Sequence, residues 1–473
     1  MATQFDSMSR QKIPFIQGEA PGSLFPINLF FLKEGYNGRD AMVGTPGLTT
    51  RVSTLLNAPV RALQTDKNRT YLCAVVGSKV YIIDTSWNVV EAVNTLDTNT
   101  GFAHIAANLT QIMIVDGVKG YIVSDLSGTP TVTEITDPDF VVPSSLAMQD
   151  SYFIVSQSDS FNFQISALED GTDWNATDIG TVEGNADNIS TMLSDHRQLF
   201  MFGPKSIEVF YNSGDATFPF ERYPDIYIED GIGAVGSTIA TDNSVFYLNN
   251  DFILKRLDGF TPKVAGPPRL HQVIDSMTTK SDAICFSYSS RGCVFLVMQF
   301  PTEDVTYVLN LATGFVHQWA SGASQGRHRS NCHAFFNGKH IVGDYENGKL
   351  YSLEDEVYTD AGTAILWTYT SPHYELNNLM LFHKELVIDF ATNVGLVAGQ
   401  GSDPTVMLKY SDNAMSSWSS ERWRNLGVVG EYKKRVRWTG LGGSRSRYYQ
   451  ISGSDPVKRM FSEAALDIEV GNG

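Results

Sequence analysis

The chain has 473 residues, 42% hydrophobic, 11% aromatic and only 18% charged, with a formal net charge of −17. That length predicts about three domain-sized units, and the apolar content excludes a disordered or fibrous chain. No apolar stretch approaches the ~18–20 residues that cross a bilayer, and the polar start MATQFDSMSRQKIP has no apolar export core, so a soluble protein covered by β-packing or subunit contacts is expected.

Residues 1–60 are punctuated by Pro14, Gly18, Pro21, Gly22, Pro26, Gly35, Gly38, Gly44, Pro46 and Gly47, which predicts an extended N-terminal arm. Beyond it, paired β-rich runs recur: 71–84, 111–125, 197–212, 244–259, 293–311 and 339–355, with a weaker copy at 152–165. Gly77-Ser78, Asp116-Gly117, Asn249-Asn250 and Asn347-Gly348 suit the positive φ of tight hairpin turns. Taking Tyr81, Tyr121, Phe163, Phe210, Ile253, Val308 and Leu350 as centres of the second runs gives intervals of 40, 42, 47, 43, 55 and 42 residues. Such a period, one hairpin per unit with room for two more strands, is that of four-stranded propeller blades. An irregular β-propeller of six or seven blades is therefore expected over 61–358, with a series of β-sandwiches as the alternative. One short helix is predicted over 186–196. From 359 to 473 the spacing is lost, and strand-like runs at 364–370, 385–391, 405–410, 433–439 and 447–452 predict a C-terminal antiparallel β-domain, making the chain all-β.

Cys73, Cys285, Cys293 and Cys332 are too few and too scattered for a disulfide framework and read as reduced structural thiols. His328, Cys332 and His333 form an H-x-x-x-C-H cluster, but adjacent residues on a strand point to opposite faces, so no metal site is expected. The serine-hydrolase, P-loop and zincin signatures are absent. The turns at 411–418 (SDNAMSSW) and 169–174 (EDGTDW) vaguely resemble the Asp-box of sialidases, which keeps a propeller glycosidase open as an alternative. No pair of carboxylates identifies itself for that chemistry. A host-receptor-binding module on the same propeller is a further alternative.

Charge is unevenly spread. Residues 421–460 hold ten basic side chains against three acids, a net of +7, which leaves −24 for the remainder. Strand alternation places Arg435 and Arg437 on one face, opposite Lys434, Val436 and Trp438, and a second strand carries Arg445, Arg447 and Tyr449. Together with Lys433, these cations predict a ridge suited to phosphate or to carboxylates on a neighbouring subunit. The bulky apolar neighbours favour the subunit or adaptor interface.

Four collinear stretches add a resemblance. Residues 199–248 (LFMFGPKSIEVFYN…TDNSVFYL) resemble the central signature of the tail-accessory, or packaged-DNA stabilisation, proteins of short-tailed bacteriophages. Residues 27–52 with Thr45-Pro46-Gly47-Leu48, residues 161–190 and the basic strands 433–458 are similar to other parts of the same family, in the same order. The stretch ERYPDIYIEDG (221–231) departs from the pattern, having Tyr-Pro-Asp-Ile where small residues are expected. The resemblance implies a non-enzymatic structural protein of the virion tail, assembled in the host cytoplasm, without catalytic residue, cofactor or metal. It further implies a homo-hexameric hub or nozzle beneath the portal-adaptor ring, partnered by tail fibres or spikes and a plug or needle. Packaged double-stranded DNA would be retained by the ring and pass through it on ejection. An acidic body suits a conduit that must not hold phosphates, so acids are expected to face the lumen.

Overall fold

The structure, a computed structural model, describes residues 11–14, 24–36, 39–184, 187–432 and 434–471. The described residues divide into two compact units, one of 50–304 with 329–353, the other of residues up to 49 with 305–328 and 354–473.

The first unit is a succession of antiparallel meanders. Val60–Thr65, Tyr71–Val76, Lys79–Asp84 and Val89–Glu91 form the first four-stranded sheet. Four more sheets of the same order follow, beginning with His104–Ala107, Pro143–Gln149, Thr191–Asp195 and Ile239–Thr241. A hairpin of Ile284–Ser290 and Cys293–Phe300 comes sixth, and Ser330–Phe336, Lys339–Asp344 and Leu350–Glu354 make the seventh group. Each sheet buries one face on its predecessor and the other on its successor. Val75 and Ile82 meet Ile112 and Ile114, Met113 meets Phe153, Ile154 meets Leu199, and Val209 meets Tyr247. Phe286 stacks on His333, carrying the sixth group to the seventh. Phe336, Ile341 and Leu350 of the seventh then pack on Leu72, Ala74 and Ile83 of the first, so the unit closes on itself as a ring of seven.

That packing explains which strands the sequence displayed. Middle strands are covered on both faces and are near-continuously apolar, as in Tyr71–Val76, where only Tyr71 is part-exposed. Several first and fourth strands, such as Val89–Glu91, Phe220–Arg222 and Ile239–Thr241, are only three residues long and partly exposed, so they merge with the turns around them. The first strands of successive sheets lie side by side around the axis. They hold a single acid, Asp195. Several acids of this unit act in turns: Asp66 accepts from the N–H groups of Thr70 and Tyr71, Asp84 from Ser86 and Asn88, and Asp116 from Val118 and Lys119. One end of the axis is crossed by the 98–102 turn, where Phe102 reaches Gly236 at the entrance to the fifth sheet. Buried Arg61 secures that turn by donating to the carbonyls of Thr98, Gly101 and Phe102.

The helix predicted over 186–196 is not formed where the chain is described. Thr191–Asp195 is the first strand of the fourth sheet, with Thr191 and Met192 buried by neighbouring sheets, and residue 186 lies outside the described residues. The α-helix among the described residues is Pro268–Ser276, which starts on Pro268 and buries Leu270 and Ile274 four residues apart.

The second unit contains a β-sandwich. One sheet runs Leu29–Tyr36, Arg39–Gly44, Met460–Val470, Leu381–Phe390, Val436–Thr439; the other runs Trp367–Thr370, Ser446–Gly453, Thr405–Ser411, Arg422–Asn425. Leu386, Trp438, Leu466 and Phe461 of the first face Val406, Leu408, Tyr449 and Ile451 of the second. Part of the stretch expected to be an extended arm is therefore sheet. Asn28 explains the anchoring: its Nδ2 donates to the carbonyls of Ala320 (2.9 Å) and Leu366 (2.7 Å), and its Oδ1 accepts from Ala320 N–H (2.9 Å), all out of water. The Thr-Pro-Gly-Leu element is also structural, since a Cβ on Gly47 would overlap the carbonyl of Val357. Residues 15–23 and 1–10 lie outside the described residues.

Candidate assembly interface

The basic band is divided by the sandwich rather than gathered into one ridge. Val436–Thr439 pairs with Leu381–Phe390 in one sheet, whereas Ser446–Gly453 pairs with Thr405–Ser411 in the other. The two strands that were expected to be adjacent lie in opposite layers because the 440–445 turn crosses between them.

Alternation along Val436–Thr439 is as the sequence predicts: Val436 and Trp438 are buried, Arg437 and Thr439 exposed. Arg435 and Arg437 keep 77% and 64% of their side-chain surface open. Each has an acid across the sheet, Asp389 at 3.8 Å from Arg435 Nε and Glu385 against Arg437. Arg424 lies beside them, its Nε donating to the Arg437 carbonyl at 2.9 Å. Lys434 is half-buried and 3.4 Å from Glu431. Arg445 is exposed and donates to the carbonyl of Asn378, far along the sandwich from Arg435. Lys433 lies outside the described residues.

Arg447 departs from the expectation of an open ridge. It is 1% exposed, forms a two-pronged ion pair with Asp412 (2.6 and 2.7 Å), donates to the Leu441 carbonyl at 2.6 Å, and stacks 4.0 Å above the ring of Tyr410. Burial opposes its charge, but the bonds to Asp412, aided by Tyr449, outweigh this and raise its pKa. Nearby His383, bonded to Ser444 Oγ, is pushed down to about 4 by burial, with Arg447 adding to the effect and Asp412 opposing it. With this guanidinium inside the fold, Arg447 on Ser446–Gly453 ties together the 411–418 turn through Asp412 and the crossing turn through Leu441. Arg459 is likewise inward, giving Nη2 to the Thr45 carbonyl at 2.7 Å, and burial lowers its pKa to about 10. Sequence alternation missed these two because a charged side chain satisfied by main-chain oxygens leaves no apolar trace in the sequence. The one signal for Arg447 was aromatic company, Tyr448 and Tyr449.

The other candidate groups are structural. Cys332 and His333 lie on a strand, with His333 Nε2 2.9 Å from His340 Nδ1, and His328 packs on Trp319 with ring centres 4.5 Å apart. Among the described residues no group of three or more His, Cys, Asp and Glu side chains could hold a metal ion. The four cysteines are free thiols, and burial pushes Cys73 and Cys285 up to about 12. In the 169–174 turn Asp170 accepts from Thr172, and buried Trp174 donates to the Gly171 carbonyl. Asp412 of the 411–418 turn is the partner of Arg447, so both Asp-box-like turns are used in the fold.

The stretch 199–248 is packed in the same sense. It carries the chain from the fourth sheet to the fifth, with Ile207 and Ile228 exchanging main-chain hydrogen bonds and Asp230 accepting from Tyr247 Oη (2.8 Å) and Asn249 Nδ2 (3.0 Å). Gly231 presses on the Pro204 carbonyl and leaves no room for a Cβ. The unusual Tyr-Pro-Asp-Ile segment fits without small residues because Tyr223 packs on Tyr211 (4.8 Å) and Phe260 (5.6 Å) while Ile226 joins the same cluster.

Comparison with known families places the whole chain. Residues 11–358 match the model described as "Bacteriophage P22 Gp10, beta-propeller", and residues 366–469 match "Bacteriophage P22 Gp10, beta-sandwich". No curated protein sequence matches the chain. Solved structures similar to it include the N-terminal domain of Nup159, at 10% identity and TM-score 0.41, covering 66% of this chain and 95% of that one. Another is virginiamycin B lyase from Staphylococcus aureus, at 10% identity and TM-score 0.42, covering 63% of this chain and 97% of that one.

Proposed function

The chain belongs to the bacteriophage P22 Gp10 family, a virion tail protein built from a β-propeller and a β-sandwich, and from that premise we propose that it forms a hub or nozzle ring beneath the portal-adaptor. The ring is a homo-hexamer that closes the DNA channel, retains the packaged genome, conducts it on ejection, and carries fibres or spikes and a plug or needle. The observation that carries this reading is the ordered match of both family models along the chain.

Two features support it physically. The inner strands of the ring-closed unit hold one acid, and the Phe102 turn crosses one end of its axis, which suits a DNA path enclosed between copies rather than one through a single chain. An overall charge of −17 keeps such a passage from gripping phosphates. Half-buried Lys434 and exposed Arg435, Arg437 and Arg445 are then cations that can meet carboxylates on a neighbouring copy or on the adaptor, where a desolvated pair gains specificity.

The deciding measurement is the particle mass with and without the adaptor, followed by electron microscopy of the assembly. A ring that forms on the adaptor supports the reading, and Arg437→Glu with Arg445→Glu should block it while leaving the isolated chain folded. A stable monomer that ignores the adaptor sinks the reading. Normal assembly of the reversed variant, or rings with Arg437 and Arg445 in bulk solvent, removes those residues from the interface.

A further inference from the structure

On one side of the sandwich two sheet edges meet without pairing. Val436–Thr439 ends the first sheet, and Arg422–Asn425 ends the second. Along a strand, the N–H and C=O groups of successive residues point alternately to its two neighbours. The carbonyls of Arg437 and Thr439 are taken by side chains of the other sheet, so they face away from Leu381–Phe390 and toward the open edge. An edge of this kind is a template for a further strand.

Both outward carbonyls of this strand already have donors. Arg424 Nε reaches the Arg437 carbonyl at 2.9 Å, while Arg422 Nη1 reaches those of Thr439 at 3.4 Å and Gly440 at 3.0 Å. The exchange runs both ways, since Trp438 Nε1 donates to the Arg422 carbonyl at 2.8 Å. Lys434, Arg435, Arg437 and Arg447 each face an acid, whereas neither Arg422 nor Arg424 forms an ion pair among the described residues. Their donors are directed at main chain instead.

We infer that Arg422 and Arg424 guard this edge, keeping Val436–Thr439 from adding a strand of a second copy of this chain. Two physical effects act together. A guanidinium on a carbonyl is a charge-assisted donor, which an incoming N–H displaces less easily than it displaces water. The two side chains also occupy the space in which another strand would lie. A second copy is the partner that the edge fits, because every copy brings the same strand, and two such edges laid antiparallel about a two-fold axis supply each other's missing donors and acceptors. The inference concerns the chain by itself and holds with or without a ring.

The test is sedimentation velocity of the full chain alone over a range of concentrations. Arg422→Ala with Arg424→Ala should self-associate at a concentration roughly tenfold or more below any at which the wild type does. Arg435→Gln with Arg437→Gln removes as much charge from the same side but leaves the carbonyls capped, and should sediment like the wild type. Adding Arg437→Pro to the double alanine variant should reverse its association, since proline deletes an N–H that faces the open edge and is tolerated there. Should the double variant melt below the working temperature, Arg424→Ala alone keeps Arg422 in place and should show the same association at smaller amplitude. An alanine variant that keeps the wild type's mass at every concentration overturns the inference. So does equal association of the glutamine variant, which would make charge the cause, or association that survives Arg437→Pro, which would place the contact elsewhere.

Discussion

Residues 199–248 and residues 433–458 both carry the family resemblance, yet they use their distinctive side chains in opposite ways. In the first, Asp230, Gly231, Tyr223 and Tyr247 are all committed to joining the fourth sheet to the fifth. In the second, Arg447 and Trp438 are inside the sandwich while Arg435, Arg437 and Arg445 remain outside it. A shared pattern of residues thus marks packing in one place and a mixture of packing and surface in the other. Counting charge along the chain treats Arg437 and Arg447 alike, although one is 64% open and the other almost wholly enclosed.

The largest effect that would sharpen this contrast is expected at Gly231. Its hydrogen faces the Pro204 carbonyl, so a larger side chain must push two strand connections apart. Gly231→Val should cost upward of about 4 kcal/mol, because overpacking against backbone cannot be relieved by a rotamer change. Denaturant unfolding of the variant checks this, and a midpoint equal to the wild type's would mean that the crossing is not rigid.

Arg447→Met comes next. The substitution keeps much of the volume but strands the Leu441 carbonyl and removes both bonds to Asp412. Since Asp412 is 40% exposed and can be re-solvated, the loss should be roughly 2–3 kcal/mol rather than the full cost of an orphaned buried ion. Thermal unfolding would measure it. A variant as stable as the parent would return Arg447 to the surface set from which the structure removes it.

How far the sequence revealed these roles follows from what each element leaves in the amino-acid pattern. The middle hairpins of the sheets were legible because burial on both faces demands Val, Ile and Phe runs, as in YLCAVV and QLFMF. The 40–50-residue spacing followed from them. Met460–Val470 was not legible, for its Glu-Ala-Ala-Leu composition suits a helix, and pairing with Leu381–Phe390 overrides that preference. The faces of Val436–Thr439 were readable from alternation. The separation of Arg435 from Arg447 was not, because nothing local says that a turn such as 440–445 changes layers.

Acid should separate the inner and outer groups again. His383, beside Arg447, and His317, 2% exposed, are held by burial at about 4 and about 3. Both stay neutral in the folded chain while the unfolded chain binds protons below about 6.5. Stability from these groups is therefore complete above that value and is lost as pH falls from about 6.5 toward 4, with the unfolded state taking up more protons. At pH 5 the loss is about 2 kcal/mol for each. Melting temperatures across this window should fall, and His383→Gln should flatten the slope. A wild-type curve that is flat from pH 7 to 5 would show these rings to be open to water.

The smallest effect is expected at Arg437, in the middle of the basic band. Arg437 has Glu385 across the sheet, but its side chain is largely in solvent, and exposed pairs of this kind are worth about 0–1 kcal/mol. Arg437→Ala should shift the unfolding midpoint by less than about 1 kcal/mol, and added salt should shrink even that. Set beside Arg447→Met, it asks whether two arginines ten positions apart differ in stability because of burial alone. If Arg437→Ala destabilises as much as Arg447→Met, then Glu385 must be a locked partner, and Arg437 is not free to meet a second chain. If it is nearly silent, the residue's retention on the open face has no explanation inside the isolated chain, which is the condition an assembly role for it requires.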